Sequence, residues 1–102
     1  MGADMKRVIW RENLVIPQGV NDVEIYQLDW TGWLDSETIV DPPTITPEAG
    51  ITAQIYTLNP KSIDMRVSGG QVGTTYTVTV RVISNVHGRQ DERKFLFEVV
   101  DQ

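Results

Sequence analysis

Apolar and polar residues alternate along much of this chain with the period of two that strand geometry imposes, most clearly from Tyr76 to Val82. Val78, Val80 and Val82 fall on one face and Thr77, Thr79 and Arg81 on the other, which predicts a half-buried β-strand. A second limb repeats the pattern, with Phe95, Phe97 and Val99 set against Lys94, Glu98 and Leu96. His87-Gly88 and their neighbours make the bend between the limbs, so residues 75–100 are predicted to form the last hairpin of a β-sandwich. The run Ser68-Gly69-Gly70-Gln71-Val72-Gly73-Thr74 launches that hairpin, its glycines suited to turns with positive φ. Tyr76, at the start of the strand, stands where a sandwich of the immunoglobulin type turns a tyrosine hydroxyl back onto upstream backbone, the tyrosine corner.

Earlier in the chain, Asp22 to Trp30 reads as a strand with Tyr26, Leu28 and Trp30 on one face; Glu24 is the exception near its start. Asp35 and Ser36 suit a turn after it, and Thr38-Ile39-Val40 a new short strand. Asp41-Pro42-Pro43 interrupts regular pairing, because proline lacks the donor that a sheet interior needs. Ile45, Ile51 to Leu58 and Ser62 to Val67 supply the middle strands, separated by Pro47-Glu48-Ala49-Gly50 and Asn59-Pro60-Lys61. Residues 1–7 are polar and expected to fray. The first ordered piece is Val8-Ile9-Trp10 or Asn13-Leu14-Val15-Ile16, stopped by Pro17-Gln18-Gly19. An arm carrying Trp10, Leu14 and Ile16 either packs on its own domain, the favoured reading, or reaches a neighbouring subunit. About seven short antiparallel strands, turn signals at roughly 8-to-12-residue spacing and no helical period predict an all-β, immunoglobulin-like Greek-key sandwich. Residues 1–20 form an N-terminal arm or edge strand, and residues 21–102 the sandwich domain.

Composition narrows the function classes. A chain of 102 residues is one domain's worth and can bury a modest core. It has no cysteine, which removes disulfides, thiolate catalysis and thiolate metal sites, so packing alone must hold it. A net charge of -5, with nine basic residues scattered, provides no cationic stripe for nucleic acid or an anionic membrane, and protein partners are expected instead. No apolar run approaches the ~20 residues that cross a bilayer, and Met1 to Arg7 lacks the apolar segment of a secretory signal. Gly2 hints at myristoylation, but Lys6 stands where that motif wants Ser or Thr. The chain reads as made in the cytoplasm.

Candidate chemistry is sparse. Ser84, His87 and Asp91 contain the residue types of a nucleophilic triad, yet all lie within one turn and its strand ends, whereas triad members converge from distant segments. His87 is the only histidine, and the chain is read as non-enzymatic, without catalytic residues or a cofactor. Asp29, Asp35, Glu37, Asp41 and Glu48 are oxygen donors of the kind calcium takes, but they match no EF-hand spacing and read as solvated turn carboxylates, so no metal is expected. Trp30 shares a face with Leu28 and belongs to the core. Trp30 and Trp33, three residues apart at the strand end, offer a stacking platform for a sugar, whereas Trp33 and Trp10, which the core does not account for, read more readily as part of a protein interface. Arg89, Asp91, Glu92 and Arg93 form a mixed-charge patch at the end of the last hairpin that can supply directional contacts.

Three stretches carry a resemblance beyond fold class. They are Leu28-Asp29-Trp30-Thr31-Gly32-Trp33-Leu34 with Glu37-Thr38-Ile39, then Ser68 to Val78, then Gly88-Arg89-Gln90-Asp91-Glu92-Arg93. In order and spacing they resemble the small immunoglobulin-like phage fibre-tail adaptor proteins of tailed bacteriophages, over roughly residues 22–100. Asp41-Pro42-Pro43-Thr44-Ile45 departs from that family, whose members tend to have serines and an aromatic there, and the segment to Val20 lies outside the match. The resemblance implies a virion structural protein, present in several copies at the neck or tail and linking the tail or connector to fibres or appendages. On that reading Trp10, Trp33, Arg89, Asp91, Glu92 and Arg93 are the candidate partner interface, and the alternative is a carbohydrate-binding module for cell-surface attachment.

Overall fold

A computed structural model describes residues 5–101. The strands are β1 (Met5–Val8), β2 (Val15–Gly19), β3 (Val23–Asp29), β4 (Thr44–Pro47), β5 (Ile51–Leu58), β6 (Ser62–Gly69), β7 (Thr75–Ile83) and β8 (Gln90–Val100), with one short helix, α1 (Thr31–Leu34), after β3. They form two four-stranded sheets, in the orders β1-β3-β6-β5 and β2-β8-β7-β4. The all-β expectation holds, with eight strands among the described residues in place of about seven, and both sheets are mixed rather than wholly antiparallel, because β1 runs parallel to β3 and β2 parallel to β8.

The two sheets share one core. Tyr26, Leu28, Ile63, Met65 and Val67 from the first meet Val78, Val80, Val82, Phe95, Phe97 and Val99 from the second, all buried. These are the residues that period-two alternation places on one face of each strand. Tyr26 and Phe97 meet edge to face across the interior with ring centroids 5.2 Å apart, a geometry aromatic pairs prefer. The last hairpin pairs in continuous register from Thr75 with Glu98 to Ile83 with Gln90. At its entry the Tyr76 hydroxyl accepts a hydrogen bond from the Gln71 backbone N–H at 3.0 Å, the tyrosine corner the sequence predicts. Gly70 makes that corner possible: its φ is +92°, and an added Cβ would sit 2.6 Å from Val99 Cγ2 and 3.0 Å from Tyr76 Cε2.

Four expectations need correction. Of the stretch expected to fray, residues 1–4 lie outside the described residues, while Met5-Lys6-Arg7 begin β1, which runs parallel to β3. Pro17 does not stop the next strand. It lies inside β2, which pairs in parallel with β8 from Val15–Leu96 to Gly19–Val100, and β2 is the edge of its sheet, where a missing N–H leaves no ladder bond unmade. Thr38-Ile39-Val40 makes only an isolated bridge from Ile39 to Ser84. Finally, a helix exists where no helical period is visible: Leu34 and Asp35 N–H groups bond the carbonyls of Trp30 and Thr31, and Asp35 then turns out at φ 58°. Four residues are too few to show a period.

The segment before Val20 is bound to both sheets. Val8 is buried, and Trp10, Leu14 and Ile16 pack half-buried on the core. Gln18 is fully buried, with Nε2 donating to the carbonyls of Asp22 and Val67 at 3.0 and 3.3 Å and Oε1 accepting from the Tyr26 hydroxyl at 2.6 Å. One amide thus ties β2 to both β3 and β6, and burial pushes the Tyr26 hydroxyl pKa well above its ordinary value.

Candidate functional site

All three tryptophans gather at one end of the domain, where β3 runs out into α1 and β8 begins. Trp30 continues the inward face of β3 and is fully buried; its Nε1 donates to Asp91 Oδ2 at 3.0 Å. On β8, Asp91 and Arg93 extend the inward face that Phe95 and Phe97 begin. The Arg93 Nε donates to the same Asp91 oxygen at 2.9 Å, and one of its terminal nitrogens donates to the Asp29 carbonyl at 3.2 Å. The guanidinium lies between two indoles, 4.7 Å from the Trp30 ring centre and 5.1 Å from that of Trp10. Only 16% of the Arg93 side chain remains exposed, so this cation closes the end of the core in place of an apolar residue.

Trp10 reaches this end from the loop between β1 and β2. Its Nε1 donates to the Lys94 carbonyl at 3.0 Å, just ahead of the point where β2 takes up pairing with β8 at Leu96. An indole N–H therefore stands in for a strand partner that has not yet begun.

A second unit lies beside the first. Arg89 sits 4.5 Å over the Trp33 ring and donates to the Trp33 carbonyl at 3.2 Å and to Glu37 Oε2 at 2.7 Å. Glu37 is buried, and its other oxygen accepts the His87 backbone N–H at 3.0 Å with His87 Nδ1 at 3.2 Å. Arg89 foremost, against the opposing effect of burial, and then the His87 N–H hold the Glu37 carboxyl down to about 2. Asp29 is also held below its ordinary value, chiefly by the Thr31 hydroxyl at 2.6 Å and then the Thr31 N–H at 2.9 Å. That pair of bonds starts α1 and so sets where Trp33 points.

A groove of about 390 Å³ runs between the two units, lined by Arg7, Ile9, Trp10, Asp29, Trp33 and Arg93 among others. Five of the six residues singled out from the sequence thus lie at one end: Trp10, Trp33, Arg89, Asp91 and Arg93. Glu92 does not line the groove: alternation along β8 turns it to the outer face, where it stands opposite Arg81 and shares a separate cavity with Trp10 and Lys94. Asp91 and Arg93 are engaged within the domain, whereas 42% of the Arg89 side chain is exposed. Sequence reasoning missed Ile9, 83% exposed at the groove, and Glu37, which anchors Arg89. The first falls beside a stretch expected to fray, and the second reads as one turn carboxylate among several.

The other candidate chemistries come apart in space. Ser84 Oγ accepts the Arg89 N–H, His87 faces Glu37, and Asp91 holds Trp30 and Arg93, so the three triad-type residues do not face one another. Among the acidic residues, Glu37 serves Arg89, Asp29 serves Thr31 and Glu48 accepts the Thr77 N–H at 2.8 Å. Among the described residues no group of three or more His, Cys, Asp or Glu is placed to hold a metal.

Comparison with known proteins adds what geometry alone does not supply. No match was found among curated proteins. Among solved structures, the solution structure of amebosin is similar over 96% of this chain and 99% of that one, at 11% identity and a TM-score of 0.48, too weak a likeness to carry an argument. A family model matches residues 18–98, and the chain belongs to that family, the podophage GP4 fiber-tail adaptor protein gp77.

Proposed function

We propose that this chain is a non-enzymatic structural protein of the virion of a tailed bacteriophage, an adaptor that links the tail or neck connector to fibres or appendages. The family match over residues 18–98 carries the reading. In this proposal the protein is made in the host cytoplasm, sits in the particle in several copies, and meets other virion proteins but neither nucleic acid nor membrane. Its fold is an immunoglobulin-like Greek-key sandwich. Support comes from the parallel pairing of an N-terminal strand with the last strand, from the Tyr76 corner and from a core shared by two sheets. Residues 1–20 act as an arm or edge region and residues 21–102 as the sandwich.

The contact surface in this reading is the tryptophan-rich end. Trp33 and Arg89 lead it, Trp10, Asp91 and Arg93 hold its shape, and Glu92 extends the patch onto the outer face. A pre-ordered aromatic and arginine surface loses little side-chain freedom on docking, which suits an adaptor. Immunogold labelling of purified virions tests the role: label at the neck or tail is expected, and particles that stay bare there overturn it. One observation favours a second reading, a glycan site, since two tryptophans, Asp29 and two arginines line the groove. Against it, Arg89 already stacks on Trp33 and Thr31 occupies an oxygen of Asp29. A glycan array without signal would remove that alternative.

A further inference from the structure

Charged residues make up 23% of the chain, yet from Pro42 to Pro60 only Glu48 carries a charge, and its carboxylate is engaged by the Thr77 N–H. This stretch supplies β4 and β5, an edge strand of each sheet, and the two lie side by side. Edge strands expose unpaired backbone donors and acceptors, and proteins ordinarily blunt them with charge, proline or shortness. Three edges here are blunted in that way: β1 has four residues including Lys6 and Arg7, β2 contains Pro17, and β4 has four residues ending in Pro47. β5 is different. It runs for eight residues, Ile-Thr-Ala-Gln-Ile-Tyr-Thr-Leu, with neither proline nor charge, and Tyr56 stands 57% exposed on it.

We propose that β5 is a self-association edge, at which a second copy of this chain pairs antiparallel with its own β5 and joins two four-stranded sheets into one. The choice of a second copy follows from the strand. A chain of net charge -5 tends to repel its copies, and β4 and β5 bring no charged side chain of their own to such an approach. An edge without charges also selects an equally neutral partner strand, and the β5 of another copy is one. Pairing about a two-fold axis at Ala53 sets Thr52 opposite Gln54 on the outer face and Ile51 opposite Ile55 on the core face, polar with polar and apolar with apolar. The pairing of β5 with β6 shifts between Ile55 and Thr57. Such a bulge bends a strand away from a neighbour, which confines the new ladder to Ile51–Ile55. Depletion of charge is also what the centre of a protein interface carries, and the exposed Tyr56 flanks the ladder just beyond Ile55. The inference does not depend on the adaptor role, since an isolated domain would pair in the same way.

Sedimentation equilibrium of the full chain from low to high micromolar concentration tests it. The mass is expected to rise from one chain to two, with β5 amide exchange slowing as it does and β7 exchange unchanged. Thr52→Lys combined with Gln54→Lys places like charges opposite each other and is expected to weaken pairing roughly tenfold or more, while Arg89→Ala at the other end leaves it intact. A chain that stays monomeric throughout, β5 amides indifferent to concentration, or a dimer that survives the double substitution but dissolves with Arg89→Ala would each overturn the proposal.

Discussion

The tryptophan-rich end of this small domain and its β4–β5 side use charge in opposite ways. At the tryptophan-rich end, Arg93, Asp91 and Glu37 are drawn inward and matched by indole faces, an indole N–H, backbone groups and the half-exposed Arg89. Along β4 and β5 charge is nearly missing, and threonine, glutamine and one tyrosine meet the solvent. Where ions are taken out of water each needs its partner, so such a region has few tolerated substitutions. Where a strand edge carries none, substitution of its exposed side chains scarcely affects folding, and in the proposed dimer it acts on pairing instead. A domain built this way has one end held by its own ionic and aromatic contacts and one side that ends in an unblunted strand edge.

Substitutions separate the two regions by size of effect. Trp30→Ala empties a fully buried site and leaves Asp91 without the indole donor, so a loss of about 4 kcal/mol in urea denaturation is expected. Arg93→Ala removes the cation between two tryptophans and leaves Asp91 part-buried without its ion pair, at a cost of about 2–3 kcal/mol in the same measurement. Glu37 sharpens the contrast through pH. Its carboxyl is depressed from 4.5 to about 2 in the folded chain, so its contribution is fully present above pH 4.5 and is lost as the pH falls from there through about 2. Wild-type stability should therefore drop over that window more than that of Glu37→Gln, and parallel curves for the two would count against the Arg89 pairing. Smallest of all, Thr52→Lys with Gln54→Lys should change monomer stability by no more than about 0.5 kcal/mol, since both side chains are exposed. A large loss there would mean that the β5 side helps hold the fold together.

What could be read from the sequence follows the same physical division. The hairpin from Thr75 to Val100, the strand ending in Trp30 and the corner at Tyr76 are legible because alternation and turn chemistry are local. The α1 turn escapes because it is shorter than any period it would display. β2 escapes because Pro17 reads as a stop unless the strand is known to lie at an edge, which only the assembled sheet reveals. At the candidate site the residue types stand out in the sequence, but their pairings do not. Trp10 finds the Lys94 carbonyl across 84 positions and Trp30 finds Asp91 across 61, and no spacing rule encodes such contacts. Glu92 shows the converse: adjacent in sequence to Asp91 and Arg93, it is turned away by the pleat. The bare β5 edge was present in the sequence as a stretch poor in charge, but it acquires meaning only once β5 is found at the border of its sheet.

Cryo-electron microscopy of the parent particle tests the central claim most directly, because it reads position and contacts together. Density for this domain at the neck or tail, with Trp33 and Arg89 against another virion protein, is the expected result. A particle whose neck and tail lack the domain, or one in which the tryptophan-rich end faces only solvent, would contradict the account.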